Sequence, residues 1–341
     1  MLGQIRHAGS AGILALAGAS AAVAELRHRR LLTSDPSYEL MQSPLRGRPL
    51  WPVSSDGTVL RAEVFGPETG ATFVLIPGWT ERLEVFDAMT RLLTARGFRV
   101  VAYDLRGQGG SGAAASGDYS LARYGDDIEA VLATTCANRS DVIVAGHSLG
   151  AMSIAAWAAD HDAPARVCAA ALINTGLDGL IRATKLLPAL LPESVARPLA
   201  LYAFLGNPLP FPALSTSVER AAVRYIAFGP HASVVHVAAL ERMLKSCAPT
   251  VRRAAGVSMS NMDLLDALPR LDVPTLVIAG DCDRLTPESH SERIASRLPH
   301  SAGVVVLHEV GHMGPLEAPG EAVDALVKLA ESVHDTMPAA A

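Results

Sequence analysis

DVIVAGHSLGAMSIAAWAA, residues 141–159, is the stretch whose reading decides the fold. Its first part, Asp141 to His147, is a β-branched apolar run suited to a central strand. Its second part, from Leu149 on, has the Ala, Met and Leu content of a good helix. Between them stands Gly146-His147-Ser148-Leu149-Gly150, a GxSxG string. Such a string by itself is a common chance pattern, and then it marks an ordinary glycine turn. Between a strand and a helix it has a mechanical meaning. The turn must be sharp, so Gly146 and Gly150 carry no bulk. Ser148 is pushed into a strained backbone with its hydroxyl exposed. The helix beginning at Leu149 aims its first N–H groups at the same point, which favours an oxyanion.

Working outward, strands and helices alternate. Val59–Phe65 reads as an alternating strand after a turn, and Thr72–Ile76 as a strand covered on both faces. Leu83 to Ala95 reads as a helix and Arg99–Asp104 as a strand. Ser120 is placed to cap a helix running to about Ala133. Cys168–Asn174 and Thr275–Gly280 read as further strands. Thr286-Pro287-Glu288 has the cap and first-position proline of a helix start. Val304–Leu307 is a β-branched run read as a buried strand, and Glu321 to Val333 is the last helix. The stretch from about Leu177 to Leu268 interrupts this alternation with a mostly helical, apolar pattern. The expected class is α/β, a mostly parallel central sheet flanked by helices with a helical cap insertion above the carboxyl ends of the strands. The expected division is an apolar membrane-associated segment at 1–30, a linker at 31–50, the first part of the core at 51–176, the cap at 177–268 and the second part of the core at 269–335.

A serine nucleophile needs a base that is itself held by an acid. In strand–elbow–helix enzymes of this kind the chain order is serine, acid, histidine. Asp283 lies just past the Thr275–Gly280 strand, and His312 just past the Val304–Leu307 strand. Both therefore fall at the same sheet edge as Ser148. Asp281 is a rival for the acid, and Asp283 is preferred because its spacing from Gly280 carries it beyond the strand end. The expected oxyanion donors are the backbone N–H groups of Leu149 and Trp79, the latter on the Ile76-Pro77-Gly78-Trp79 loop. The Trp79 indole reads equally well as a pocket wall or as core. His312 also closes the string His308-Glu309-Val310-Gly311-His312, which fits the HExxH pattern of a zinc protease. That pattern needs a helix, so that both imidazoles share one face. Here a β-branched run precedes it, and Gly311, Gly314 and Pro315 follow. On an extended strand the two histidines would stand about 13 Å apart. No metal site is expected, and no cofactor.

The chain has 341 residues, half of them hydrophobic, enough for one large domain with an insertion. A net charge of −5 offers no electrostatic footprint for nucleic acid. Cys136, Cys168, Cys247 and Cys282 are widely spaced and read as free thiols suited to a reducing compartment. The oligomeric state is left open. Residues 8–24, AGSAGILALAGASAAVA, carry no charge and are followed by Arg27-His28-Arg29-Arg30. Membrane association through residues 8–24 is expected, with the catalytic domain facing the cytoplasm on the side of the basic cluster. A signal peptide of a secreted protein is the second reading, and a small-residue helix packed on the domain the third.

Five strings appear in the order found in one superfamily: PGWT, YDLRGQGGSG, GHSLG, GDCDRLTP and GHMGPLEAP. Over roughly Val59 to Val333 the chain resembles the α/β-hydrolase superfamily, and in particular bacterial lipase/esterase-like members with a helical cap. One departure is that Pro77-Gly78 stands where the family usually has His-Gly. The resemblance implies a structural role for Asp104 and Arg106. It implies a serine esterase acting on carboxylic esters, with Ser148, Asp283 and His312 as triad. The apolar insertion points to lipophilic substrates such as a monoacylglycerol or a lysophospholipid. Haloalkane dehalogenases and epoxide hydrolases use an aspartate nucleophile, which Ser148 excludes. A cofactor-free haloperoxidase-like enzyme with the same triad is the rival, as is a non-catalytic binding protein on the same fold.

Overall fold

The apolar runs become strands of one sheet: β1 (Arg48–Leu50), β2 (Ala62–Phe65), β3 (Thr72–Ile76), β4 (Arg99–Tyr103), β5 (Val142–His147), β6 (Ala169–Ile173), β7 (Thr275–Gly280) and β8 (Ser301–Leu307). Their spatial order in this computed structural model is β1-β2-β4-β3-β5-β6-β7-β8. The structure describes residues 23–186, 192–200, 205–207, 209–210 and 215–334. The pairings β1–β2 and β2–β4 are antiparallel, and the rest are parallel. The helices are α1 (residues 23–34), α2 (Tyr38–Gln42), α3 (Asp87–Ala95), α4 (Leu121–Thr135), α5 (Leu149–Asp160), α6 (Leu180–Ala183), α7 (Glu193–Ala200), α8 (Ser217–Ala227), α9 (Val234–Ser246), α10 (Pro249–Ser260), α11 (Glu288–Arg297), α12 (Gly314–Glu317) and α13 (Pro319–His334).

The strand period of two sorts side chains into two cores. Val74 and Ile76 of β3 and Val142 and Val144 of β5 face α4 and α5. Phe73, Leu75, Ile143 and Ala145 point the other way, toward α3 and α13. Both faces are therefore covered, which is why β3 and β5 are buried at every position. The chain crosses between β6 and β7 through α6–α10, which lie near the carboxyl ends of the strands.

Several local expectations are corrected. The strand expected over Val59–Phe65 begins only at Ala62, while Val59 makes an isolated bridge to Val53. The run Val304–Leu307 is not a buried strand. It belongs to β8, which has a neighbour on one side only, and Val306 is 41% exposed. The stretch 31–50 carries α2 and the edge strand β1, whose Pro49 suits an edge. Ser120 occupies the cap position of α4 without a side-chain capping bond. Of the apolar run at 8–24, residues 8–22 lie outside the described residues. Among the described residues no helix is long and apolar enough to cross a membrane.

Asp87, in the first turn of α3, is buried, and burial pushes its carboxyl up to about 6, although the Leu45 N–H at 3.1 Å opposes this. The folded state therefore holds a proton that the unfolded chain releases near pH 4. This contribution to stability is complete below pH 4 and lost as pH rises through 6. Asp87→Asn is expected to gain about 2 kcal/mol at pH 8, after a small loss at the helix N-terminus, and almost nothing at pH 4. Urea midpoints at the two pH values check this, and an equal change at both would contradict it.

Candidate active site

Ser148 sits between the last residue of β5 and the first of α5 with φ 50° and ψ −115°. Only a tightly determined turn holds a non-glycine residue there. A Cβ on Gly146 would come within 2.5 Å of the Ala151 nitrogen, and one on Gly150 within 2.2 Å of the Ile76 oxygen. The turn can be this tight only because both are glycine. The Ser148 N–H is tied to the Ile173 carbonyl at 2.9 Å, and Thr175 Oγ donates to the Ser148 carbonyl at 3.0 Å.

The loops after β7 and β8 bring two more side chains to this point. His312 Nε2 is 3.0 Å from Ser148 Oγ, and His312 Nδ1 is 2.8 Å from Asp283 Oδ2. All three residues are buried. Burial pushes the Asp283 carboxyl up, but the His312 ring and hydrogen bonds from Thr286 outweigh it and hold the group below the usual carboxylate range. Asp283 Oδ1 accepts the N–H groups of Leu285 and Thr286 at 2.8 and 2.9 Å. The rival Asp281 instead pairs with His308 at 2.7 Å, where the His308 side chain is 85% exposed. The two histidines of the HExxH string thus serve different surroundings, one at the surface and one beside Ser148.

Two features of the site go beyond the sequence reading. Thr286, taken as a helix cap, makes no capping bond. Its hydroxyl donates to Asp283 Oδ2 at 2.8 Å and lies 3.2 Å from His312 Nδ1. The second feature is a buried chain beneath the Trp79 loop. Glu81 accepts the Gly78 N–H at 2.6 Å and contacts His147 Nδ1 at 2.9 Å. His147 Nε2 meets the His312 carbonyl at 2.8 Å. The carbonyl can only accept, so Nε2 carries a proton, and Nδ1 and Glu81 share another between them. Burial lowers the His147 pKa, but the Glu81 charge outweighs it and the net direction is upward. In this chain Glu81 fixes the loop where Pro77-Gly78 replaces His-Gly. The only sequence signal was a glutamate three residues after Gly78.

Leu149 is the first residue of α5, so its N–H is among those a helix leaves unpaired. Trp79 follows β3 and lines the same cavity as Ser148, while its indole donates to the Arg252 carbonyl at 2.9 Å. That cavity measures about 350 Å³ and is walled mainly by apolar side chains, among them Met152, Leu180, Val223, Ile226, Leu240 and Met313. The end of α8 is joined to the core around it. The Ala227 carbonyl accepts the N–H groups of His312 and Met313 at 2.9 and 3.2 Å, and Arg284 reaches the Tyr225 and Phe228 carbonyls.

A non-heme haloperoxidase of Rhodococcus erythropolis is 28% identical over 262 residues, covering 76% of this chain and 91% of that protein. Among solved structures, a membrane phospholipase A described as a bacterial virulence factor aligns with TM-score 0.68 at 22% identity, over 95% of this chain and 98% of its own. The esterase RhEst1 of Rhodococcus sp. ECU1013 aligns with TM-score 0.68 at 24% identity, over 84% and 99%. At such identities the two structures speak for the fold. The family model described as serine aminopeptidase, S33, matches residues 67–318, from the turn before β3 to the start of α13. On that match and that fold, the chain belongs to the serine aminopeptidase S33 family of the α/β-hydrolase superfamily and is an esterase-like hydrolase.

Proposed function

We propose that this protein is a serine hydrolase that cleaves carboxylic esters of lipophilic substrates such as a monoacylglycerol or a lysophospholipid. The observation that carries the reading is the unbroken relay from Ser148 Oγ through His312 to Asp283, opening into an apolar cavity. Ser148 Oγ attacks the ester carbonyl while His312 Nε2 takes its proton. Asp283 orients the ring and stabilises its charged form. The N–H groups of Leu149 and Trp79 receive the oxyanion. The alcohol leaves with the proton from His312, and water, activated by the same ring, releases the acid from the acyl-serine. No step calls for a metal or an organic cofactor.

Turnover of p-nitrophenyl esters across acyl lengths tests this reading. Absence of turnover at every length would overturn it. A second reading has support in the relatives named haloperoxidases. There hydrogen peroxide instead of water would take the acyl group and give a peroxyacid. Acetate-dependent bromination measured beside ester turnover separates the two.

Thr286 acts through Asp283 and His312. Thr286→Val is expected to lower kcat/KM for a p-nitrophenyl ester about tenfold, the worth of one hydrogen bond to a charged group. KM and the melting temperature should change little, and an unchanged kcat would remove Thr286 from the relay.

Membrane association through residues 8–24 is part of the proposal. It is supported by their uncharged sequence and by the exposure of Val23 and Leu26 at the start of α1. Recovery of the full chain solely in the soluble fraction after cell lysis would contradict it.

A further inference from the structure

Helix α8 works as a ruler leading away from the triad. Its last residue, Ala227, bonds the His312 backbone, and Ile226, Val223 and Ala222 present apolar side chains to the cavity. Glu219 stands eight residues before Ala227, about 12 Å along the helix axis. There the cavity wall changes character. Glu219 is joined by Glu241 and Lys245 of α9 and by Asn207.

Most polar atoms in this group have partners. Lys245 Nζ donates to Ser215 Oγ at 2.7 Å and lies 3.9 Å from Glu219 Oε2. Glu219 Oε2 takes the Thr216 N–H at 2.8 Å, and Asn207 Oδ1 takes the Leu209 N–H at 2.9 Å. Glu241 differs. It is 5% exposed, and among the described residues its Oε1 accepts no hydrogen bond. The Lys245 ammonium is 3.2 Å from that oxygen but not in hydrogen-bonding alignment. The Lys245 charge offsets part of the cost of burial, but an oxygen with no aligned donor still costs free energy. An occupant of the cavity that supplies the donor removes that cost.

We propose that the substrate carries a hydroxyl at the end of its chain remote from the scissile ester, about 12 Å of α8 beyond the Ala227 end of the cavity, and that Glu241 receives it. The inference rests on the ester-hydrolase reading of Ser148 and gives that substrate a second, polar end. A hydroxyl suits this group better than a charged terminus. A carboxylate would face Glu219 and Glu241, and an ammonium would face Lys245. A hydroxyl donates to Glu241 Oε1 and can accept from Lys245. The spacing matches a chain of about ten carbons.

The test compares kcat/KM for the p-nitrophenyl esters of decanoate and ω-hydroxydecanoate, and for decyl acetate and ω-hydroxydecyl acetate. The first pair places the hydroxyl on the acyl side and the second on the alcohol side. In one of the pairs the wild-type enzyme is expected to favour the hydroxylated substrate. Glu241→Leu should lower that preference about tenfold, and the isosteric Glu241→Gln should lower it less. Calorimetric binding of decanol and of the decane diol with a hydroxyl at each end to Ser148→Ala reads the same subsite without chemistry. Preference for the diol with no ester turnover by the wild type would remove the hydrolase reading and keep the subsite. Ester turnover without preference for the hydroxyl, or a preference unchanged in both Glu241 variants, overturns the proposal.

Discussion

Ser148→Ala is expected to lower kcat/KM for a p-nitrophenyl ester by about 10⁵–10⁶-fold, with KM little changed. The size follows from the relay. Removing Oγ leaves His312 with no nucleophile to activate, and only the oxyanion donors and substrate binding remain. Stability should hardly move, because Ser148 Oγ contributes one hydrogen bond and its backbone is held by Ile173 and Thr175. His312→Ala should lose nearly as much, and the double variant no more than the worse single one, because the three groups act as a unit. Labelling by a fluorophosphonate probe should be present in the wild type and lost in Ser148→Ala. Activity surviving in Ser148→Ala would mean that another group carries the reaction.

The largest expected effect on stability lies at Asp127 in α4. Arg106 is fully buried, and its guanidinium holds Asp127 in a two-pronged bond of 2.6 and 2.7 Å. It also reaches Asp56 at 3.0 Å, Ser54 at 3.1 Å and the Asp118 carbonyl at 3.1 Å. One side chain thus ties the turn before β2, the glycine-rich loop after β4 and α4 together. Burial pushes the Asp127 carboxyl up, while Arg106 opposes it. Asp127→Ala leaves a buried cation with three of its five hydrogen bonds and one of its two carboxylates, and a loss of about 3–5 kcal/mol is expected. That is a large share of the 5–15 kcal/mol typical of a domain. Asp127→Asn, which keeps one acceptor, should lose less. Urea midpoints of the three proteins rank them, and equal midpoints would refute the role given to Arg106.

What the sequence disclosed and what it hid follow from range. β3, β5 and β7 were legible because strands covered on both faces need unbroken apolar runs. Ser148, Asp283 and His312 were legible as candidates because each follows a strand at its carboxyl end. β8 misled because Val304–Leu307 has the residues of an interior strand, while among the described residues no ninth strand lies beside it. Thr286 misled for another reason. Thr-Pro-Glu is a sound local signal for a helix start, and α11 does begin at Glu288. The Thr286 hydroxyl goes to Asp283 because that carboxylate is the stronger acceptor within reach. Glu81 and His147 could not be paired from sequence, since 66 residues separate them and neither lies in a periodic pattern.

The bonds between α8 and the loop carrying His312 have a consequence for traffic through the enzyme. A roof fastened to the floor at one end cannot lift as one rigid plate without pulling on the His312 backbone. Entry and exit are then expected at the opposite end of α8, near Thr216 and Glu219. A crosslink placed there should throttle turnover, whereas one at the Ala227 end should leave it running.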